Sequence, residues 1–196
     1  MPKPHPARPA GPPCQVRIIG GQWRRTPLPV ADRPGLRPTP DRVRETLFNW
    51  LGQDLTGWRC IDAFAGTGAL GFEAASRGAA SVQLVESDAA LVAQLHTLQQ
   101  RLQATAMRVQ RGDGVAALKQ AAPASLDLVL LDPPFDSDFF TPALQAAAQA
   151  VAADGFIYLE APRAWADEEL AAWGLAVHRH LKAGAVHAHL LRRASL

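Results

Sequence analysis

The chain has 196 residues, 48% of them apolar and 19% charged, with a formal net charge of +2. This composition fits one globular domain with a substantial core, and its short, interrupted apolar runs exclude a segment that spans a bilayer. Two cysteines, Cys14 and Cys60, are too few for a disulfide framework or a zinc cluster.

The first stretch, MPKPHPARPAGPPCQV, lacks the apolar core of a signal peptide and is dense in proline. It reads as a disordered tail over residues 1–14, and the whole chain reads as a cytoplasmic protein. Charge is unevenly spread. Through residue 50, Lys3, Arg8, Arg17, Arg24, Arg25, Arg33, Arg37, Arg42 and Arg44 face only Asp32, Asp41 and Glu45. The planar guanidinium suits phosphate, so a polyanionic partner is one reading and a solvated basic arm the other.

Residues 15–35 form that arm, in which QVRIIGGQWRRTPLPV predicts a hairpin turning at Gly20-Gly21. The main domain then spans 36–196. Thr39 or Asp41 caps a helix through DRVRETLFNWL, with Val43, Leu47, Trp50 and Leu51 on one face. Strands follow at 58–64, 81–87, 106–113, 125–132 and 155–162. Helices are expected at 68–78, 88–103, 114–121, 141–153 and 165–172, and residues 174–193 alternate as two strands around a Lys-Ala-Gly turn. The pattern predicts an α/β fold, doubly wound and mostly parallel, with an antiparallel addition at its C-terminal end.

Two segments carry chemistry. In CIDAFAGTGALG, Asp62 ends a strand and Gly66, Gly68 and Gly71 follow into a helix, a loop whose backbone can approach a ligand. Glu86 ends the next strand and Asp113 the one after. Read literally, the glycines with Glu86 are a dinucleotide fingerprint, which keeps an NAD-linked oxidoreductase open. Asp62 argues against it, because a carboxylate facing a pyrophosphate is repelled. Three acids at three successive strand ends instead suit a ligand with an ammonium, a ribose and an adenine, as in S-adenosylmethionine (SAM). The second segment is LVLLDPPFDS. Pro133 and Pro134 stiffen the strand end, so that the Asp132 carboxylate and the Pro133 carbonyl can both accept from one amine. Phe135 offers a ring to the base that carries the amine. Such acceptors would orient an exocyclic amine for attack on a methyl group.

The motif D-P-P-F at 132–135 resembles that of SAM-dependent methyltransferases acting on exocyclic amines, and DAFAGTGALGFEAASRG (62–78) looks like their cofactor loop. RIIGGQWR (17–24) and LRPTPDRVRETLFNWL (36–51) are similar to the bacterial 16S ribosomal RNA guanine-N2 methyltransferases. The resemblance implies a Rossmann-like class I methyltransferase domain with an N-terminal hairpin, no metal, and methylation of guanine N2 in 16S rRNA or a partly assembled small subunit. Adenine-N6 methylation of DNA or RNA stays open, since D-P-P-F does not tell the two amines apart, and a non-catalytic RNA-binding module is a further alternative. By position, Asp62, Gly66 and Gly68 would hold the methionine end, Glu86 the ribose, and Asp113 the adenine, with Phe64, Ala65, Thr67, Ser87 and Gly114 as further cofactor-binding residues. Asp132, Pro133, Pro134 and Phe135 would hold the target base. Phe64 departs from the general loop, where glycine is common. Arg17, Arg24, Arg25, Arg37, Arg42 and Arg44, with Trp23, are the candidate RNA contacts. A monomer is expected. His178, His180, His187 and His189 alternate on the last strands, where a solvated or RNA-facing sheet edge is preferred to a metal site.

Overall fold

The computed structural model describes residues 15–30 and 39–194. The expected tail, Arg37 and the rest of 31–38 lie outside those residues. The arm is a two-stranded antiparallel ribbon, β1 (Gln15–Arg17) and β2 (Pro27–Pro29), with Val16 opposite Leu28. Its turn is longer than a two-glycine hairpin. Residues 18–26 form it, and Ile18 still exchanges backbone bonds with Arg25 and Thr26.

The main sheet contains β3 (Arg59–Asp62), β4 (Ser81–Glu86), β5 (Met107–Arg111), β6 (Leu126–Leu131), β7 (Val151–Ala161), β8 (Leu175–Ala183) and β9 (Val186–Arg193). Their order is β5-β4-β3-β6-β7-β9-β8, parallel through β7 and antiparallel at β9 and β8. Among the described residues six α-helices accompany it, α1 (Asp41–Trp50), α2 (Ala69–Ser76), α3 (Ala89–Arg101), α4 (Gly114–Gln120), α5 (Phe140–Ala150) and α6 (Asp167–Leu170), the last followed by a 3-10 turn at Ala171–Trp173. The α/β expectation holds, including the antiparallel end.

Strand β6 shows why the sheet must be covered on both sides. Leu128 and Leu130 enter the core built with the arm, α1, α2 and α3, while Val129 and Leu131 enter the one beneath α4 and α5. All four are fully buried, which is what a near-continuous apolar run in a parallel sheet requires. Two of the differences from expectation have causes in the packing. Strand β7 starts at Val151, because this β-branched residue pairs with Leu126 and is fully buried, and Gly155 then fits against the carbonyls of Leu126 and Asp127, each 3.0 Å from where a Cβ would stand. Helix α1 has Pro40 at its cap position with no side-chain cap. Thr39 and Asp41, the expected caps, bond instead to Glu160 and Arg44.

Candidate active site

The strand order reverses between β3 and β6, since the chain runs outward from β3 to β5 and returns beside β3. Ligands of open α/β sheets bind at the carboxyl ends of strands at such a reversal. Asp62 and Asp132 stand there, at the ends of the two strands that part. Beyond Asp62 the backbone divides its bonds, Ala63 donating to Leu130 O and Ala65 to Val85 O, so the crevice opens at this point.

Asp62 is buried. Its Oδ2 accepts from the Gly71 N–H at 3.0 Å, and its Oδ1 is buried with no hydrogen-bond partner among the described residues. Burial pushes this carboxyl up to about 7, with the Gly71 bond opposing and the charge of Glu86 adding to the rise. A buried acceptor without a donor is costly, and an ammonium group of a ligand would satisfy it. The glycines around it are sterically required. A Cβ on Gly71 would stand 2.1 Å from Leu84 Cδ2, and one on Gly114 would stand 2.0 Å from Ala63 O. Gly68 has φ of 78° and opens α2. Ala65 and Thr67 are buried beneath the loop, and Phe64, half-buried, packs on Phe139 at 5.8 Å.

The other two rim acids have structural bonds as well. Glu86 accepts from Gly66 N at 2.8 Å and from Asp88 N at 2.9 Å, fastening the glycine loop to β4, with Ser87 exposed beside it. Asp113 caps α4 by accepting from Ala116 N at 2.7 Å. A carboxylate has lone pairs for further donors, so both remain compatible with hydroxyl or amino ligands.

Asp132 is half-buried at the end of β6, Pro133 is buried, and Phe135 is exposed. Loss of water, then the negative charges of Glu160 and Asp62, hold the Asp132 carboxyl well above the usual carboxylate range. The Pro134 carbonyl accepts from the Ser137 N–H and hydroxyl, which closes the turn and leaves the motif's shape locally determined. Next to it, Phe135, Phe140, Trp165 and Arg163 line a cavity of about 440 Å³.

Glu160 is the residue the sequence did not single out. It is buried on β7, and its Oε1 accepts from Thr39 Oγ1 at 2.5 Å and from Tyr158 OH at 2.9 Å. Nothing in the alternation of GFIYLEAP marks its carboxyl as different from a strand end facing water. Only the sheet order places it beside Asp132.

The arm residues divide. Arg24, Arg25, Arg42 and Arg17 are exposed. Trp23 is half-buried and packs edge-on to Phe72 at 6.4 Å, so its ring belongs to the core surface. Arg44 is not a surface group at all. It is fully buried, donating to Thr39 O, Arg17 O, Asp41 and Glu73, and the expectation that it clamps phosphate is therefore corrected. Glu73, also fully buried, takes Arg44 and Arg77 together with the backbone N–H groups of Ile19 and Gly20 at 2.8 and 2.7 Å. The solvated edge expected for the histidines is corrected at His189. It is buried, accepting from Trp165 N at Nε2 and thus carrying its proton on Nδ1 toward Leu159 O.

Ribosomal RNA small subunit methyltransferase D of Escherichia coli strain K12 is 51% identical over 121 residues, which are 62% of this chain and 61% of that protein. The protein of the same name from Haemophilus influenzae is 45% identical over 124 residues, 62% of this chain and 64% of its own length. The chain thus spans less than two thirds of the length of either relative. A solved structure, "Putative methyltransferase yhhF from Escherichia coli", superposes with a TM-score of 0.77 at 36% identity, covering 93% of this chain and all of that one. The model of the family described as "Conserved hypothetical protein 95" matches residues 16–192, from the arm through the last strand, and the chain belongs to that family.

Proposed function

We propose that the chain transfers the methyl group of SAM to the exocyclic N2 of a guanine in 16S rRNA, either free or within a partly assembled small subunit. The observation that carries this reading is the placement of Asp62 and Asp132 at the ends of the two strands that part, one with an orphaned buried oxygen and the other at the head of D-P-P-F. The relatives' name, ribosomal RNA small subunit methyltransferase D, supports rRNA as the substrate class. The residues present fit SAM: the buried Asp62 Oδ1 lacks a donor among the described residues, and an ammonium group would supply one.

When bound, SAM supplies an activated methyl on a positively charged sulfur. The chain's own residues do the rest. Asp62 receives the ammonium, Gly66 and Gly68 keep the loop close, Glu86 with Ser87 takes the ribose, and Asp113 with Gly114 takes the adenine. Asp132 and the Pro133 carbonyl accept the two protons of the target amine, which orients its lone pair and stabilises the positive charge that grows on nitrogen. Phe135, exposed at the rim, stacks on the base. Such a protein acts as a monomer in the cytoplasm, where its substrate is made.

The test is mass-spectrometric nucleoside analysis of 16S rRNA from a strain lacking the gene, complemented with the wild type or with Asp132→Ala. Loss of one N2-methylguanosine, restored by the wild type alone, is expected. The Asp132→Ala protein should bind SAM within about tenfold of the wild type, because its partner is the base. Loss of N6-methyladenosine instead, or restoration by Asp132→Ala, would overturn the reading.

A further inference from the structure

Glu160 stands in a row of acids. Leu131 is paired with Leu159 and Leu130 with Tyr158, so Asp132 and Glu160 occupy the next positions on neighbouring strands. Asp62 pairs with Leu130, and Asp132, two residues further on, points to the same face. Asp62, Asp132 and Glu160 thus cross three adjacent strands on the side covered by Thr39 and α1.

The supports within this row are unequal. Two hydroxyls donate to Glu160 Oε1, one from Thr39 and one from Tyr158, and buried Arg44 brings a positive charge from α1. On its other side β9 presents Ala188, which carries no charge. Asp132 is faced by Glu160 and Asp62, both negative when ionised. The donors therefore favour the anion at Glu160, and the resulting repulsion falls on Asp132. In agreement, burial raises the Glu160 carboxyl while Thr39, Tyr158 and Arg44 pull it back, whereas only raising influences act on Asp132.

We propose that Glu160, bonded by the hydroxyls of Thr39 and Tyr158 and facing the charge of Arg44, is the positioning residue that makes Asp132 the proton acceptor of methyl transfer. This rests on the reading above. The guanine nitrogen uses its lone pair to form the N–CH3 bond while the S–CH3 bond breaks, its electron pair remaining on sulfur. The nitrogen, then positive, gives one proton to a carboxylate oxygen of Asp132. Asp132 becomes a neutral acid and later releases the proton to water. Burial makes Asp132 reluctant to ionise and the neighbouring anion adds to it, and a carboxylate that holds its proton more strongly is a better base.

The experiment is the pH dependence of kcat/KM for methyl transfer to 16S rRNA between about pH 5 and 9, with the full chain, for wild type and Glu160→Gln. Glutamine keeps an acceptor for both hydroxyls and removes the charge. The acid limb should move down by about one pH unit, and kcat near neutrality should fall on the order of tenfold with KM for RNA nearly unchanged. An acid limb that stays in place overturns the inference. Tyr158→Phe, which removes one donor and lets Glu160 hold a proton more readily, should move the limb in the same direction by a smaller step. If Glu160→Gln does not fold, an unmoved limb in Tyr158→Phe overturns the inference equally. Wild-type protein that methylates no guanine overturns the underlying reading, whereas wild-type turnover with unmoved limbs overturns this inference alone.

Discussion

On the function proposed above, Asp62 carries a conflict between folding and binding in a single side chain. Its carboxyl, raised from 3.8 to about 7 by burial, binds a proton more strongly in the folded protein than in the unfolded one. The sign follows from linkage. Below about pH 4 both states are protonated, and from there to about 7 the folded state loses stability as pH rises. Above that the full penalty stands, an upper bound of about 4 kcal/mol. We expect Asp62→Asn to unfold at higher urea than the wild type at pH 8 without SAM, to match it near pH 4, and to bind SAM more weakly. Equal urea midpoints at pH 8 would show that the buried charge costs nothing. At this scale the sequence was informative where chemistry sits in a motif: Asp62, Gly66, Gly68 and Asp132 all lie at the crevice. It was uninformative where a residue's environment comes from other strands. Glu160 looks like any strand-end acid, and Arg44 like any helix-surface arginine, until Glu73, Thr39 and Arg17 close around it.

Helix α2 shows the same limit for an element. Its start at Gly68 was legible from the glycine spacing, but its role as an anchor was not. Glu73 lies in its middle, so one side chain joins α1 through Arg44, its own next turn through Arg77, and the arm through the N–H groups of Ile19 and Gly20. Gly21 closes the contact, with φ of 73° and a Cβ position only 1.8 Å from Ser76 O. Removing one partner of a buried ionic cluster strands the others, and Glu73→Ala should cost about 3–5 kcal/mol in urea unfolding. A loss under about 1 kcal/mol would mean that water replaces the carboxylate at the arginines. The hairpin itself was legible because Val16 alternates with Gln15 and Arg17 ahead of a pair of glycines. Its turn is longer than the sequence suggested because a pair of glycines signals a sharp bend equally well when they serve a close approach to a helix.

On the whole molecule, the arm's exposed Arg24 and Arg25 lie on an element bonded to the body, so they present charge from a fixed place. Phosphate contacts made there release counterions. For Arg24→Ala with Arg25→Ala, we expect weaker rRNA binding and a salt slope shallower by up to about 2, read from affinity at several salt concentrations. An unchanged slope would make the pair a solvated surface. Strand succession was readable from periodicity, whereas the order β5-β4-β3-β6-β7-β9-β8 arises from packing of both apolar cores, which no single segment encodes. Helix α2, eight residues and about 12 Å long, has the glycine loop at one end and the docked arm at the other. For anyone building chimaeras, the transferable module is consequently larger than the hairpin: a foreign arm needs its own match to Glu73, Ser76 and Arg77, and a graft that brings only residues 15–30 would arrive without its socket.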